Sequence, residues 1–178
     1  NKVHYQVEKT NKLITDDKKQ ILYPDLISKQ KKFQMKFVKK PEEQSFLGIG
    51  FTSYDHNDLK KYPLIIISEI LTGYLGAELY KTLRGEHGLV YGVDTGLDTF
   101  IDTGAFTITC STKDNSETIL KCIVIILDEL NKIKNGVIDD KMFEDAIKNT
   151  VINVKNMKYS PSSLSMKYAD DLIYSKKI

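Results

Sequence analysis

LRGEHGLVYGV, residues 83–93, is where a helical spacing of apolar residues stops and a strand alternation begins. Ahead of it, Leu64, Ile67, Ile70, Leu71, Tyr74, Leu75, Leu79 and Leu83 recur at intervals of three and four, the spacing of one buried helix face. The spacing predicts a helix over 60–83 that breaks in two near Gly73 and Gly76. Arg84 closes the second piece. Behind it, Leu89, Tyr91, Val93, Thr95 and Leu97 alternate and fall on one face of a strand. Asp102-Thr103-Gly104 is turn chemistry, and Phe106, Ile108 and Cys110 alternate back as the second strand of a hairpin.

Working outward, everything after Thr112 reads as helix. A stripe through Leu120, Ile123, Val124, Leu127 and Leu130 predicts a helix over 116–134, stopped by Gly136. Asp139 or Asp140 caps a helix running to about Met157. Ser160-Pro161 has the form of a cap followed by proline at the first helical position, so a last helix starts there. On the other side, SFLGIGFTSY (45–54) is apolar on both faces, which predicts a central strand covered on both sides. Phe33, Met35 and Phe37 alternate with Gln34, Lys36 and Val38, the pattern of a half-buried strand. Residues 1–31 are polar and lysine-rich and read as a linker or arm, with a short strand at Val3–Val7. The domain is then 32–178. Strands and helices that come in blocks predict an α+β fold: a mixed, largely antiparallel sheet covered by helices.

Composition narrows the function. The net charge is +2, so no strong global field favours nucleic acid or an acidic membrane surface. The lysines around Phe33–Val38 carry no interleaved aromatic and arginine platform and read as a solvated strand face. No apolar run approaches the ~20 residues of a spanning helix. The chain starts at Asn1 with no signal-peptide pattern, and reads as an excised piece of a longer chain. Cys110 and Cys122 are neither a disulfide framework nor a zinc spacing, and read as two small buried side chains, which favours a reducing compartment.

Two stretches carry candidate chemistry. Asp55-His56-Asn57-Asp58 offers metal-ligand types, but also the residues of an Asx-rich turn leading into a helix. In 83–93, Glu86 and His87 are ligand types as well. A zinc peptidase helix needs two histidines on one face with a glutamate, as H-E-x-x-H or its inversion H-x-x-E-H. His87 has no partner at that spacing, and His4 and His56 are solitary, so no complete zinc set is present. Arg84 is the single arginine among 26 cationic residues, a planar fork where the chain otherwise takes lysine. With Tyr91 it makes a pair of donors suited to carbonyl oxygens, able to hold a peptide backbone or stabilise an oxyanion. The plainer reading is a helix-end arginine favoured by the dipole and a tyrosine buried in the sheet.

The span Gln44–Phe106 resembles the second-type domain of the pitrilysin or insulinase family of inverted-motif zinc peptidases. The likeness rests on SFLGIGF, on ISEILTGYLGAELYKTLR, and on R-x-x-x-G-L-x-Y at Arg84, Gly88, Leu89 and Tyr91. The hairpin with Asp102, Thr103, Gly104 and Phe106, the helix over 116–134 and the break at Gly136 extend it over roughly 33–175. Thr72–Leu79 stands where the family usually has a glycine-rich turn ending in Ser-Arg-Leu. The resemblance implies a domain like those of the mitochondrial processing peptidase. It implies that Tyr91 donates to the scissile carbonyl as it becomes an oxyanion, that Arg84 binds a substrate backbone carbonyl, and that Gly88 and Leu89 line the same subsite. It also implies that zinc is bound by an H-x-x-E-H domain outside this chain, in cis or on a partner subunit, and that this chain alone binds none. The partner is a peptide or protein substrate. The alternative it leaves open is a catalytically inactive relative that binds peptides or assembles a complex.

Overall fold

Three ten-residue strands form one antiparallel sheet: β1 (Gln44–Ser53), β2 (Val90–Thr99) and β3 (Gly104–Lys113), in the order β1-β3-β2. The computed structural model describes residues 32–39 and 41–174, which belong to one unit spanning Lys32–Ile178. Val3–Val7 lies outside the described residues. β2 and β3 are the expected hairpin, closed by a Phe100 N–H to Thr103 O bond of 2.8 Å. β3 is the central strand, and its inward residues Phe106, Ile108, Cys110 and Thr112 are all buried. β1 was expected at the centre with both faces covered. Among the described strands it lies at an edge instead, and Phe46 on its outer face is 78% exposed. The glycines at 48 and 50 explain the difference. They fall on that outer face and remove the bulk that made both faces look apolar, while Leu47 and Ile49 pack inward.

The strand expected at 33–38 is not seen: Phe33, Met35 and Phe37 are exposed, and among the described residues none is in a ladder. Alternation supplies a face but no ladder, and a strand needs a hydrogen-bonded neighbour to satisfy its backbone.

The long apolar run breaks where the glycines predicted. The first piece is α1 (Lys61–Thr72), and the second ends in a wide π-type turn, α2 (Tyr80–Glu86). α1 lies on β2 and is fastened by hydroxyls: Thr95 Oγ1 meets Ser68 Oγ and Thr72 Oγ1, each at 2.6 Å. Leu71, Leu79 and Leu83 are fully buried against Val90, Val93 and Ile108. Each such side chain is worth roughly 1.5–3 kcal/mol of burial.

α3 (Ser116–Lys134), α4 (Asp140–Met157) and α5 (Pro161–Tyr174) follow the expected boundaries, and each cap is visible. Asn115 Oδ1 accepts from Glu117 N–H at 2.8 Å and Asp139 Oδ1 from Met142 N–H at 3.1 Å. Ser160 Oγ takes the Ser163 N–H at 3.4 Å. Gly136, at φ +72°, closes α3 with the Val137 N–H bonded to Lys132 O. The buried face of α3 differs from the expected stripe. Cys122, Ile126 and Glu129 are the buried residues, while Leu120, Val124 and Leu127 are exposed. The segment Ile119–Leu127 is apolar nearly all round, so periodicity alone does not choose its inward face.

Candidate functional site

The opening stretch folds as a helix end, a left-handed stop and a bulged strand. The end of α2 is wider than an α-helix. His87 N–H bonds to Thr82 O, five residues back, and Leu89 N–H to Leu83 O, six residues back. Gly88 follows at φ +59°, a conformation that favours glycine, and turns the chain into β2. Leu89 packs against the core, and its carbonyl accepts from the buried Thr112 hydroxyl at 2.6 Å.

The first residues of β2 then slip by one. Val90 stands opposite Thr112, but Gly92, not Tyr91, stands opposite Ser111. Tyr91 is therefore the extra residue of a β-bulge, the device that re-aims a side chain and interrupts the ladder. Simple alternation placed Tyr91 on the same face as Val93. The structure corrects this: Val90 and Val93 are buried and Tyr91 is 51% exposed. The bulge also disposes of the reading in which Tyr91 is a core residue. The signal was present in the sequence, since Gly92 beside it is the kind of strand glycine that marks a bulge.

Arg84 reaches the same point from the helix. Its Nη1 donates to the Tyr91 carbonyl oxygen at 2.8 Å. Its guanidinium carbon lies 5.2 Å from the centre of the Tyr80 ring, one helical turn earlier. Arg84 and Tyr91 are thus brought together, by a side chain-to-backbone bond rather than by two side chains facing one gap. Tyr80 was not singled out in the sequence, although its place four residues before Arg84 was the available clue. Among the described residues, nothing hydrogen-bonds the Tyr91 hydroxyl. Most of the arginine fork is likewise left over, because one of its five N–H donors is engaged.

Glu86 leans to Lys81 at 3.9 Å, and His87 is exposed. Among the described residues, no three of His, Cys, Asp or Glu come together as metal ligands. The Asp55–Asp58 stretch is an Asx turn. Asp55 Oδ1 accepts from the N–H groups of Asn57 and Asp58, and Asp58 Oδ1 accepts from Lys60 N–H. His56 is held between Thr99 Oγ1 at 3.1 Å and Asp171 Oδ1 at 3.4 Å. Elsewhere, burial pushes the Glu69 carboxyl above its ordinary range, and its Oε1 has no hydrogen-bond partner among the described residues. It lies against Gly73, where a Cβ would clash with it. Burial, with Cys122 alongside, pushes the Cys110 thiol up to about 12, so both cysteines sit as inert free thiols.

The helix-to-bulge junction thus presents Tyr91 and Arg84 side by side, and among the described residues no metal-ligand set accompanies them. Comparison with known proteins places it further. The family described as the Peptidase M16 inactive domain matches residues 1–150, and this chain belongs to that family. An uncharacterized zinc protease of Bacillus subtilis, YmxG, is 30% identical over 93 residues, covering 49% of this chain and 23% of that protein. A Rickettsia felis protein named as an uncharacterized zinc protease is 26% identical over 138 residues, covering 75% of this chain and 33% of its own length. Among solved structures, a protease from Helicobacter pylori superposes with a TM-score of 0.68 at 18% identity, covering 78% of this chain and 33% of that one. A peptidase M16 inactive domain from Pseudomonas fluorescens gives 0.55 at 26%, covering 71% and 29%. The chain therefore spans about a third or less of the length of the relatives it matches. No described helix is long and apolar enough to cross a membrane.

Proposed function

We propose that residues 32–178 are the substrate-positioning and transition-state-stabilising domain of a zinc metalloendopeptidase. In this reading the metal is held by an H-x-x-E-H domain outside this chain, in cis or on a partner subunit. The observation that carries it is Tyr91, lifted out of the core by the bulge, its hydroxyl without a partner among the described residues, directly beside Arg84. Zinc, when bound in that other domain, supplies polarisation of the scissile carbonyl and an activated water. This chain supplies the rest. The Tyr91 hydroxyl donates to the carbonyl oxygen as negative charge builds on it, where a preorganised donor lowers the barrier most. The remaining Arg84 donors hold a neighbouring backbone carbonyl of the extended peptide. Gly88 and Leu89 shape the approach, one by its left-handed turn and the other by its anchorage in the core. Alone, the chain is expected to bind no zinc tightly and to cleave nothing.

The test is to read the coding region on either side of this chain for H-x-x-E-H and to assay the full-length protein, zinc-loaded, on internally quenched peptides. Turnover that chelation abolishes and zinc restores supports the reading. Peptide binding with no turnover at any zinc loading overturns it and leaves a peptide-binding or assembly subunit.

A further inference from the structure

An arginine at an exposed helix end samples many rotamers, and one hydrogen bond does not fix a planar fork. In this chain Arg84 carries two restraints of different kinds. In its plane, Nη1 is tied to the Tyr91 carbonyl oxygen at 2.8 Å. On another side, its guanidinium carbon lies over the Tyr80 ring, 5.2 Å from the ring centre. Tyr80 is itself anchored, because it packs against the buried cluster of Leu79, Leu83 and Val90. The nearby carboxylate does not compete: Glu86 turns to Lys81. The wide turn of α2 sets all three residues at one end of the strand.

We propose that Tyr80 is a positioning residue: its ring is the platform that orients the Arg84 guanidinium, which in turn holds the bulge that presents Tyr91. The inference rests on the reading of Arg84 and Tyr91 given above for its catalytic consequence, but not for its geometry. It explains why the one guanidinium of the chain stands here. A lysine ammonium is a compact point charge and lacks the extended fork that donates to a carbonyl while its central carbon lies over a ring.

The single arginine makes the test direct. In the isotopically labelled chain, the guanidinium nitrogen spectrum contains one residue. The expected result is an Arg84 Nε–H signal displaced by the Tyr80 ring current, with slowed guanidinium rotation and cross-peaks from the Tyr80 ring to the arginine side chain. Tyr80→Phe keeps all of these. Tyr80→Leu returns the signal to the position of a free arginine and shifts the backbone signals of Tyr91 and Gly92. Missing cross-peaks in the unmutated chain overturn the proposal without any variant. So does a Tyr80→Leu spectrum unchanged at Arg84. In the full-length zinc-loaded protein, Tyr80→Leu should lower kcat/KM about fivefold, and Tyr80→Phe should restore it. If Arg84→Ala and Tyr91→Phe leave turnover intact while the Tyr80 cross-peaks are present, the proposed function fails and the positioning contact stands.

Discussion

Two stretches of this chain carry histidine, acids and a polar turn: Asp55–Asp58 and Arg84–Tyr91. They end differently. In the first, the fold engages each of the principal polar groups. Asp55 closes the turn, Asp58 receives Lys60, and His56 is held by Thr99 on one nitrogen and Asp171 on the other. Asn57 Nδ2 donates to Tyr174 O, and the rings of His56 and Tyr174 lie 5.3 Å apart, tilted by 39°, so this cluster fastens α5 to the loop after β1. In the second, the fold engages one arginine donor and leaves the phenol and most of the fork unsatisfied among the described residues. Polar side chains that the fold has already satisfied hold structure together. In the proposed function, those held at an exposed position without a protein partner, where only water competes, are the ones that meet a substrate.

That contrast can be broken by mutation. Under the proposed function, Arg84→Ala removes both a substrate contact and the hold on Tyr91, so kcat/KM of the full-length protein should fall by about 10²–10³-fold while thermal stability barely moves. Thr112→Val should act on stability instead. It leaves the Leu89 carbonyl without its hydroxyl partner beside the bulge and should lower unfolding free energy by about 1–3 kcal/mol in denaturant titration. His56→Ala should lower stability by about 1 kcal/mol and leave turnover unchanged, since it unfastens α5 from the loop after β1, away from the Arg84–Tyr91 end of β2. The smallest effect is on acid stability. The Lys167 ammonium, and to a lesser degree His56, hold the Asp171 carboxyl below its ordinary value. A depressed folded pKa contributes stability that is present above the unfolded value near 4 and is lost as pH falls through the lower folded value. Asp171→Asn should therefore lower stability slightly at neutral pH, and the difference from the parent in denaturant midpoint should shrink and vanish as pH falls below ~4.

How much of this was legible in the sequence depended on the range of the interaction. The ends of α3, α4 and α5 were readable because Asp139, Gly136 and Ser160-Pro161 act on their own neighbours. The break after α1 was readable for the same reason. Strand neighbours were not. Whether β1 lies at the centre or the edge, and whether 33–38 pairs at all, is decided by residues far away in the chain. The inward face of α3 was hidden by too much apolar character rather than too little. At the site, the identities of Arg84, Gly88, Leu89 and Tyr91 stood out from spacing and resemblance. Their geometry did not, because a one-residue slip at Gly92 moves Tyr91 from a core alternation to an exposed position.

The central claim is that the Tyr91 hydroxyl, set out by the bulge, meets the developing oxyanion. Tyr91→Phe deletes that hydroxyl and leaves the ring, the bulge and the Arg84 bond to the backbone in place. The decisive measurement is kcat and KM of the full-length, zinc-loaded Tyr91→Phe protein on one peptide substrate. The account predicts kcat lower by about 10²–10³-fold with KM nearly unchanged, the mark of a donor used in the transition state. An unchanged kcat, in a variant that folds and binds zinc as the parent does, would contradict it.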